Sequence, residues 1–352
     1  MTSILRALLV TLAAATGVAA THPEHTANLQ SQNAPVAVGP FTTEPVAMVV
    51  NPANGRVYVL DLKPSGFITY GYVHIIDGFT NQNVRTLTAG TFSKGMAFDG
   101  YNNKIYVTNS GDSNISVIDA NTDQHVRNAQ GVPKTIQLVE DPAAITFSYY
   151  SGRFYVGYYD RHRPGPAIAE VFGNTDTVGG RIYDFDREIT GLMWPPSSLA
   201  ASRIFALGGG SPGKVWTIES YNGGPSAVHE VGNSPAGTFG MYRPMAGQNS
   251  HGYSYVANSE SNTVTMLDSI GQPYHTIAVP AGPVAIGGEE HWHAGGGHVF
   301  VACRDANVVV EISHDHMTRS WSGFNGPTAV LYNPANHALY VGDRSRIWKI
   351  HL

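Results

Sequence analysis

Residues able to do coordination or acid–base chemistry gather in a few places along the chain. Histidines are densest late in the sequence, as Glu289-Glu-His-Trp-His293, then His298, then His314-Asp-His316. Two His-x-His pairs beside carboxylates carry the donor set for a divalent metal, zinc or copper, since imidazole suits both. His291 and His293 share one side if that stretch is extended, which makes His291, His293, His314 and His316 the candidate ligands. The spacing matches no established metal signature, so the same histidines also read as decoration of a polar hairpin end. A second place is Tyr158-Tyr-Asp-Arg-His-Arg163, where Asp160 and His162 supply an acid–base pair with Arg161 beside them. Glu44, Lys94, Asp141, Arg187, Glu188, Arg304, Asp305, Asp343, Arg344 and Arg346 are charged residues at comparable turns.

Other motifs carry less. Gly208-Gly-Gly-Ser-Pro-Gly-Lys-Val215 mimics a phosphate loop but lacks the hydroxyl residue after the lysine and leads into a strand. Gly209-Gly-Ser-Pro-Gly213 within it mimics a nucleophile elbow without the strand-to-helix turn that motif needs. Asn114-Ile-Ser116 is a glycosylation sequon at the start of a strand. Cys303, the one cysteine, excludes an internal disulfide and reads as a small apolar filler ending a buried strand. Cleavage of a leader after Ala19 would expose Ala20-Thr21-His22, an amine and imidazole spaced to chelate copper, whereas cleavage after Ala20 would destroy that spacing.

The elements that must position these groups recur. Asn103-Lys-Ile-Tyr-Val-Thr-Asn109, followed by Ile115-Ser-Val-Ile-Asp119, has counterparts at Gly55-Arg-Val-Tyr-Val59, Gly152-Arg-Phe-Tyr-Val156, Arg203-Ile-Phe-Ala206, Tyr253-Ser-Tyr-Val256, His298-Val-Phe-Val301 and Ala338-Leu-Tyr-Val341. The spacing of about 40 to 50 residues is that of propeller blades. Each repeat opens on a small-apolar segment, near Pro45, Lys94, Pro142, Ile189, Pro235, Pro283 and Pro327, with Lys94 read as standing where the usual proline would be. Turns rich in Asn, Pro and Gly follow, and β-branched or aromatic residues fill the strands. The expected fold is all-β, a seven-bladed β-propeller. Its last repeat lacks an outer strand, which Ala34-Pro-Val-Ala-Val-Gly39 is predicted to supply, closing the ring and removing exposed edges.

The Tyr-Val-Thr-Asn strand with Ile-Ser-Val-Ile-Asp after it resembles the YVTN family of seven-bladed propellers over roughly residues 36–352, strongly in repeat two and weakly in repeats three and four. Members of that family include surface-layer and extracellular binding proteins, and the fold is similar to lactonase-type enzymes. The family shares no catalytic motif, so the resemblance assigns no active residue.

Met1 to Ala20 read as a signal peptide: a charge at Arg6, a short apolar core and small residues before the cleavage site. Residues 21–33 read as a flexible segment and 34–352 as the propeller. The expected location is extracellular, as a secreted protein. No apolar run reaches the ~20 residues of a membrane span. With net charge −5 and 13% charged residues there is no basic stripe for phosphates, so nucleic acid is not an expected partner.

In a propeller the loops opening each blade and the loops between its second and third strands share one face, here called the upper. Two upper-face linkers are long, Asp61 to Tyr70 and Tyr158 to Pro166, and breaks in a regular pattern are where function is expected. The leading expectation is a small molecule, glycan or protein bound there by Glu44, Lys94, Asp141, Tyr159, Arg161, Glu188, Arg304 and Arg344 around a central polar pocket. The alternative is a lactonase- or cyclase-type enzyme using Asp160, His162, Arg161, Glu44 or Lys94. The third is metal binding through the late histidines, on the opposite face. The charged turn residues also read as solvated groups that pair with one another.

Overall fold

The structure is a computed structural model that describes residues 33–40, 42–138, 141–160, 165–183, 185–194, 203–209, 213–219, 227–233, 245–246, 253–288, 298–313 and 315–352. Among these there is no helix, and every sheet is an antiparallel blade. Seven blades follow in chain order, with inner strands Pro45–Asn51, Ser93–Asp99, Ile145–Ser148, Ile189–Met193, Met245–Ala246, Pro283–Gly288 and Ala329–Asn333. Blade two has a divided outer strand, Gln124–His125 and Thr135–Gln137.

The same pair recurs in each blade between inner and second strands: Met48 with Val59, Met96 with Val107, Ile145 with Val156, Leu192 with Ala206, Met245 with Val256, Ile286 with Val301, Val330 with Val341. This corrects two readings of the sequence. Blade five's inner strand is Met245–Ala246, well after Pro235, which lies outside the described residues. In blade two it is Ser93 that stands where Pro45 and Pro283 stand, opposite the third residue after the aromatic of the Tyr-Val strand. Lys94 occupies the next position, a register slip shared with Val46 and Val284, a bulge that re-aims its side chain. Val46 and Val284 are buried there, whereas Lys94 is exposed.

The core lies between blades. Tyr58, Tyr106, Tyr155, Phe205, Tyr255, Phe300 and Tyr340, the aromatic of each repeat, are all fully buried. Burying such a ring stabilises by roughly 1.5–3 kcal/mol, and the phenols need partners across the blade boundary. Tyr340 donates to Gly78 O at 3.1 Å, and the buried Lys349 donates to the same oxygen at 2.8 Å.

Val36–Val38 forms the outer strand of blade seven, antiparallel to Ile347–His351, with Val36 opposite Lys349 and Val38 opposite Ile347. The predicted closure is what the structure shows. Thr42 Oγ1 to Asp343 O and Thr328 Oγ1 to Pro45 O, both 2.6 Å, lock the same seam. Asn33 Nδ2 donates to His351 O at 2.6 Å. Cys303 ends its strand fully buried, and burial alone pushes its thiol up to about 12.

Candidate functional site

An axial channel of about 530 Å³ runs between the inner strands. Near the upper face its wall is Val46, Val284 and Thr328. Towards the lower face it is Phe98, Phe147, Tyr149, Trp194 and Tyr332, with Pro52 and Pro334 at the rim. These aromatics sit at or just past the ends of inner strands, where alternation aims one side chain per blade at the axis. Tyr149 packs edge-on against Phe147 (4.9 Å between ring centres) and tilted against Trp194 (5.4 Å). Trp194 N donates to Thr146 Oγ1 at 3.2 Å, which ties the end of blade four to blade three. Met48, Met96 and Met193 add thioethers to the lining. No charged side chain lines the channel among the described residues. This channel is apolar, in contrast to the polar pocket expected of the upper-face turns.

The long linkers of blades one and three are hairpin extensions. Blade one's strands Arg56–Ser65 and Ile68–Asp77 pair continuously to Ser65 and Ile68, and blade three's Arg153–Asp160 and Gly165–Phe172 pair to Asp160 and Gly165. Alternation sends Tyr159 to solvent and buries Asp160, where Asp160 Oδ2 accepts from Tyr183 Oη at 3.1 Å. Burial, first, and then Tyr183 hold the neighbouring Tyr158 phenol far above its ordinary range.

The other candidates stand on separate blades. Glu44 is half-buried, and its amide and that of Thr43 both donate to Asp61 Oδ1 at 2.8 Å. Asp141 is half-buried with φ +36°. Glu188 is exposed, and its carbonyl accepts from Gly209 N at 3.1 Å. Arg304 and Arg344 are brought together: both flank Gly326, where an added Cβ would lie 3.6 and 3.7 Å from their side chains. Arg304 Nε also donates to Asp305 at 2.8 Å. Arg161, His162, His291, His293 and His314 lie outside the described residues.

His316 is exposed and pairs with Asp315 at 3.0 Å. His298 and His316 face the same residue, Ser313, so they lie in one row at the lower face. His298 is taken by Glu311 at 2.7 Å. Burial opposes ionisation of Glu311, but His298, Thr318 and Arg319 outweigh it and hold the carboxyl below its ordinary range. Among the described residues no group of three His, Cys, Asp or Glu side chains is placed to hold a metal ion. Asn114 is half-buried, and its Oδ1 accepts from Asn109 at 2.9 Å.

Reading the sequence missed the channel. The available signal was an aromatic at the inner-strand end of four blades, Phe98, Phe147, Trp194 and Tyr332.

No protein-family model matches the chain, and no curated protein matches it. Solved structures do match. Hydrazine synthase of Kuenenia stuttgartiensis is 13% identical, with TM-score 0.62, over 93% of this chain and 98% of that one. Virginiamycin B lyase from Staphylococcus aureus is 11% identical, with TM-score 0.65, over 91% and 99%. A streptogramin B lyase is 11% identical, with TM-score 0.64, over 90% and 96%. At such identities the likeness is one of fold.

Proposed function

We infer that this chain is a secreted, non-catalytic binding propeller that takes a small, largely apolar molecule into its axial channel. The single observation behind the reading is the channel itself: about 530 Å³, walled by aromatic and thioether side chains and without a charged group among the described lining residues. Ligand pockets have this character, concave and mostly apolar with a few polar groups to orient the guest. Thr146 and Tyr149 supply those groups here. A catalytic reading needs titratable groups converging on one reacting atom. Among the described residues no acidic or basic side chain lines the channel, and Asp160 is engaged by Tyr183. Two of the matching folds are lyases, and fold alone does not carry an activity between proteins. The blade-one and blade-three hairpins on the upper face remain recognition elements for a larger partner, separate from the channel.

Native mass spectrometry of the secreted protein, purified without chelators, tests the channel. A one-to-one small-molecule adduct is expected, weakened by Trp194→Ala, which removes one aromatic wall. An adduct unchanged in Trp194→Ala would place the ligand elsewhere.

A further inference from the structure

Among the described residues the tip of the blade-one hairpin departs from the pattern of the other blades. Inner-strand pairing in blade one stops at Asp61, opposite Pro45, yet the hairpin continues to Ser65 and Ile68. Four residues carry the tip about 13 Å past the end of the inner strand, and on the outer side the sheet follows it as far as Thr91, opposite Tyr70, and Phe92, bonded to Thr69. The corresponding strands of blades two, four, five, six and seven are 5 or 6 residues long, against 10 here. At the end stands Phe67, wholly exposed, beside Ile68 and Tyr70, both more than 40% exposed. Gly66 turns the tip at φ +62°, so the turn residue is supplied and nothing in the geometry requires an aromatic next to it.

A second observation, from a different blade, points the same way. Phe92 donates its amide to Thr69 O at 2.7 Å, next to Ile68 at the tip of the finger. Its φ is +47° and its ring is 42% exposed. The other non-glycine residues at positive φ among the described ones are Asn, Asp, Ser or His, types that tolerate the left-handed region or can offset it with local hydrogen bonds. A strained backbone that presents a phenylalanine to solvent is the kind of outlier found at ligand clamps.

No Asp or Glu occurs in the finger from Leu62 to Ile76, which carries Lys63, and the exposed Lys94 follows Ser93, whose side chain packs against Gly71 of the finger. Lys63 Nζ lies 5.1 Å from the centre of the Tyr72 ring. Asp112, at the base, is engaged by Thr91 through two hydrogen bonds of 2.7 Å.

We propose that the blade-one finger is a membrane-docking element: Phe67, Ile68 and Phe92 enter the interfacial zone of an anionic lipid surface, while Lys63 and Lys94 meet its headgroups. The shape favours lipid over a protein groove. A narrow convex tip finds full burial in a fluid phase, whereas a protein partner would need a matched pocket. Aromatic side chains partition to that interface and lysines reach headgroups along their apolar stems. No helix of the described residues is long and apolar enough to cross a membrane, so the contact is peripheral. It stands whether or not the channel holds a ligand.

The test is flotation of the full chain with phosphatidylcholine vesicles, with and without about one-fifth phosphatidylserine. Binding to the anionic vesicles is expected, falling roughly tenfold or more in the double variant Phe67→Ser, Ile68→Ser. Both positions are exposed, so the melting temperature of that variant should match the parent. Lys63→Gln with Lys94→Gln should weaken anionic binding several-fold and flatten its salt dependence. Failure of the parent to float, or flotation unchanged by the tip substitutions, overturns the proposal. So does a protein partner that depends on Phe67 in the absence of vesicle binding.

Discussion

Tyr58 of blade one donates its phenolic hydrogen to Asp123 Oδ1 of blade two at 2.7 Å, and Arg56 reaches the other carboxylate oxygen. One blade further on, Tyr106 donates to Asp176 of blade three, which also receives Lys104 at 2.9 Å and Lys134 at 2.7 Å. Both acceptors sit at φ +55° in the turn before the outer strand, where aspartate tolerates the left-handed region and aims its carboxylate back across the boundary. The aromatic of the repeat is thus a staple between blades as well as core. Burial, the larger effect, pushes the Tyr58 phenol up to about 12, so it stays a donor throughout the physiological range.

Removing the phenol should therefore cost more than an exposed hydrogen bond. Tyr58→Phe keeps the ring but leaves the buried Asp123 with Arg56 as its remaining side-chain partner among the described contacts. The expected loss is about 1–3 kcal/mol. Tyr106→Phe should lose less, because two lysines still hold Asp176. Urea unfolding of the two variants checks the order, and equal losses would deny the lysines that role.

The strands and the ring closure were legible in the sequence because Tyr58, Tyr106, Tyr255 and Tyr340 recur in one local pattern and burial follows the alternation of that pattern. Asp123 and Asp176 were not picked out, although each ends an Asn-Thr-Asp turn, because the partner of each lies about 65 to 70 residues earlier, on another blade. The channel was hidden for the same reason: Phe98, Phe147, Trp194 and Tyr332 meet only when the ring closes. Blade five misled because Pro235 opens a stretch that looks like the other blades, while the paired residue is Met245. Glu44, Lys94 and Asp160 stood out by charge, and charge at turns is cheap in water and says little about convergence.

Acid should weaken the ring through its buried carboxylates. Burial opposes ionisation of Asp176 and Asp343, but Lys134, Tyr106 and Lys104 for the first, and Ser345 with the Asn325 and Arg346 amides for the second, outweigh it and hold both below the ordinary range. A depressed folded pKa contributes stability above the unfolded value, about 3.9 for aspartate, and that contribution is lost as pH falls through the folded value. Asp176→Asn should be less stable than the parent near neutrality, and the gap should close below about pH 4. Thermal melts across that range measure it; a constant gap would remove Asp176 from the acid response.

Cys303 should report unfolding. Its side chain is fully buried and its thiol is pushed up to about 12 by burial, so neither access nor thiolate is present in the folded ring. Alkylation by iodoacetamide at pH 8 is expected only at the rate of global or blade-six opening. Val38→Asp, which puts a charge into the buried face of the closing strand, should accelerate that labelling by loosening the seam. Rapid labelling of the parent under native conditions would show that the blade opens without it.

Phe92 offers a trade between stability and docking. Holding a phenylalanine at φ +47° costs about 1–2 kcal/mol, and asparagine tolerates that region while losing only a partly exposed ring. Phe92→Asn should therefore melt at the same temperature as the parent or a few degrees higher, by roughly 1–2 °C per kcal/mol in a chain of this size. The same substitution should reduce flotation with anionic vesicles, since it removes one of the rings beside the tip of the finger. Paired melting and flotation of Phe92→Asn separate the two effects. The Phe92 ring lies over Gly111, where an added Cβ would come within 2.7 Å of it, and a variant that is destabilised would mean that the ring serves the fold through this contact. A variant that is stabilised yet floats less would mean that the strain at Phe92 is held in place for the contact it makes.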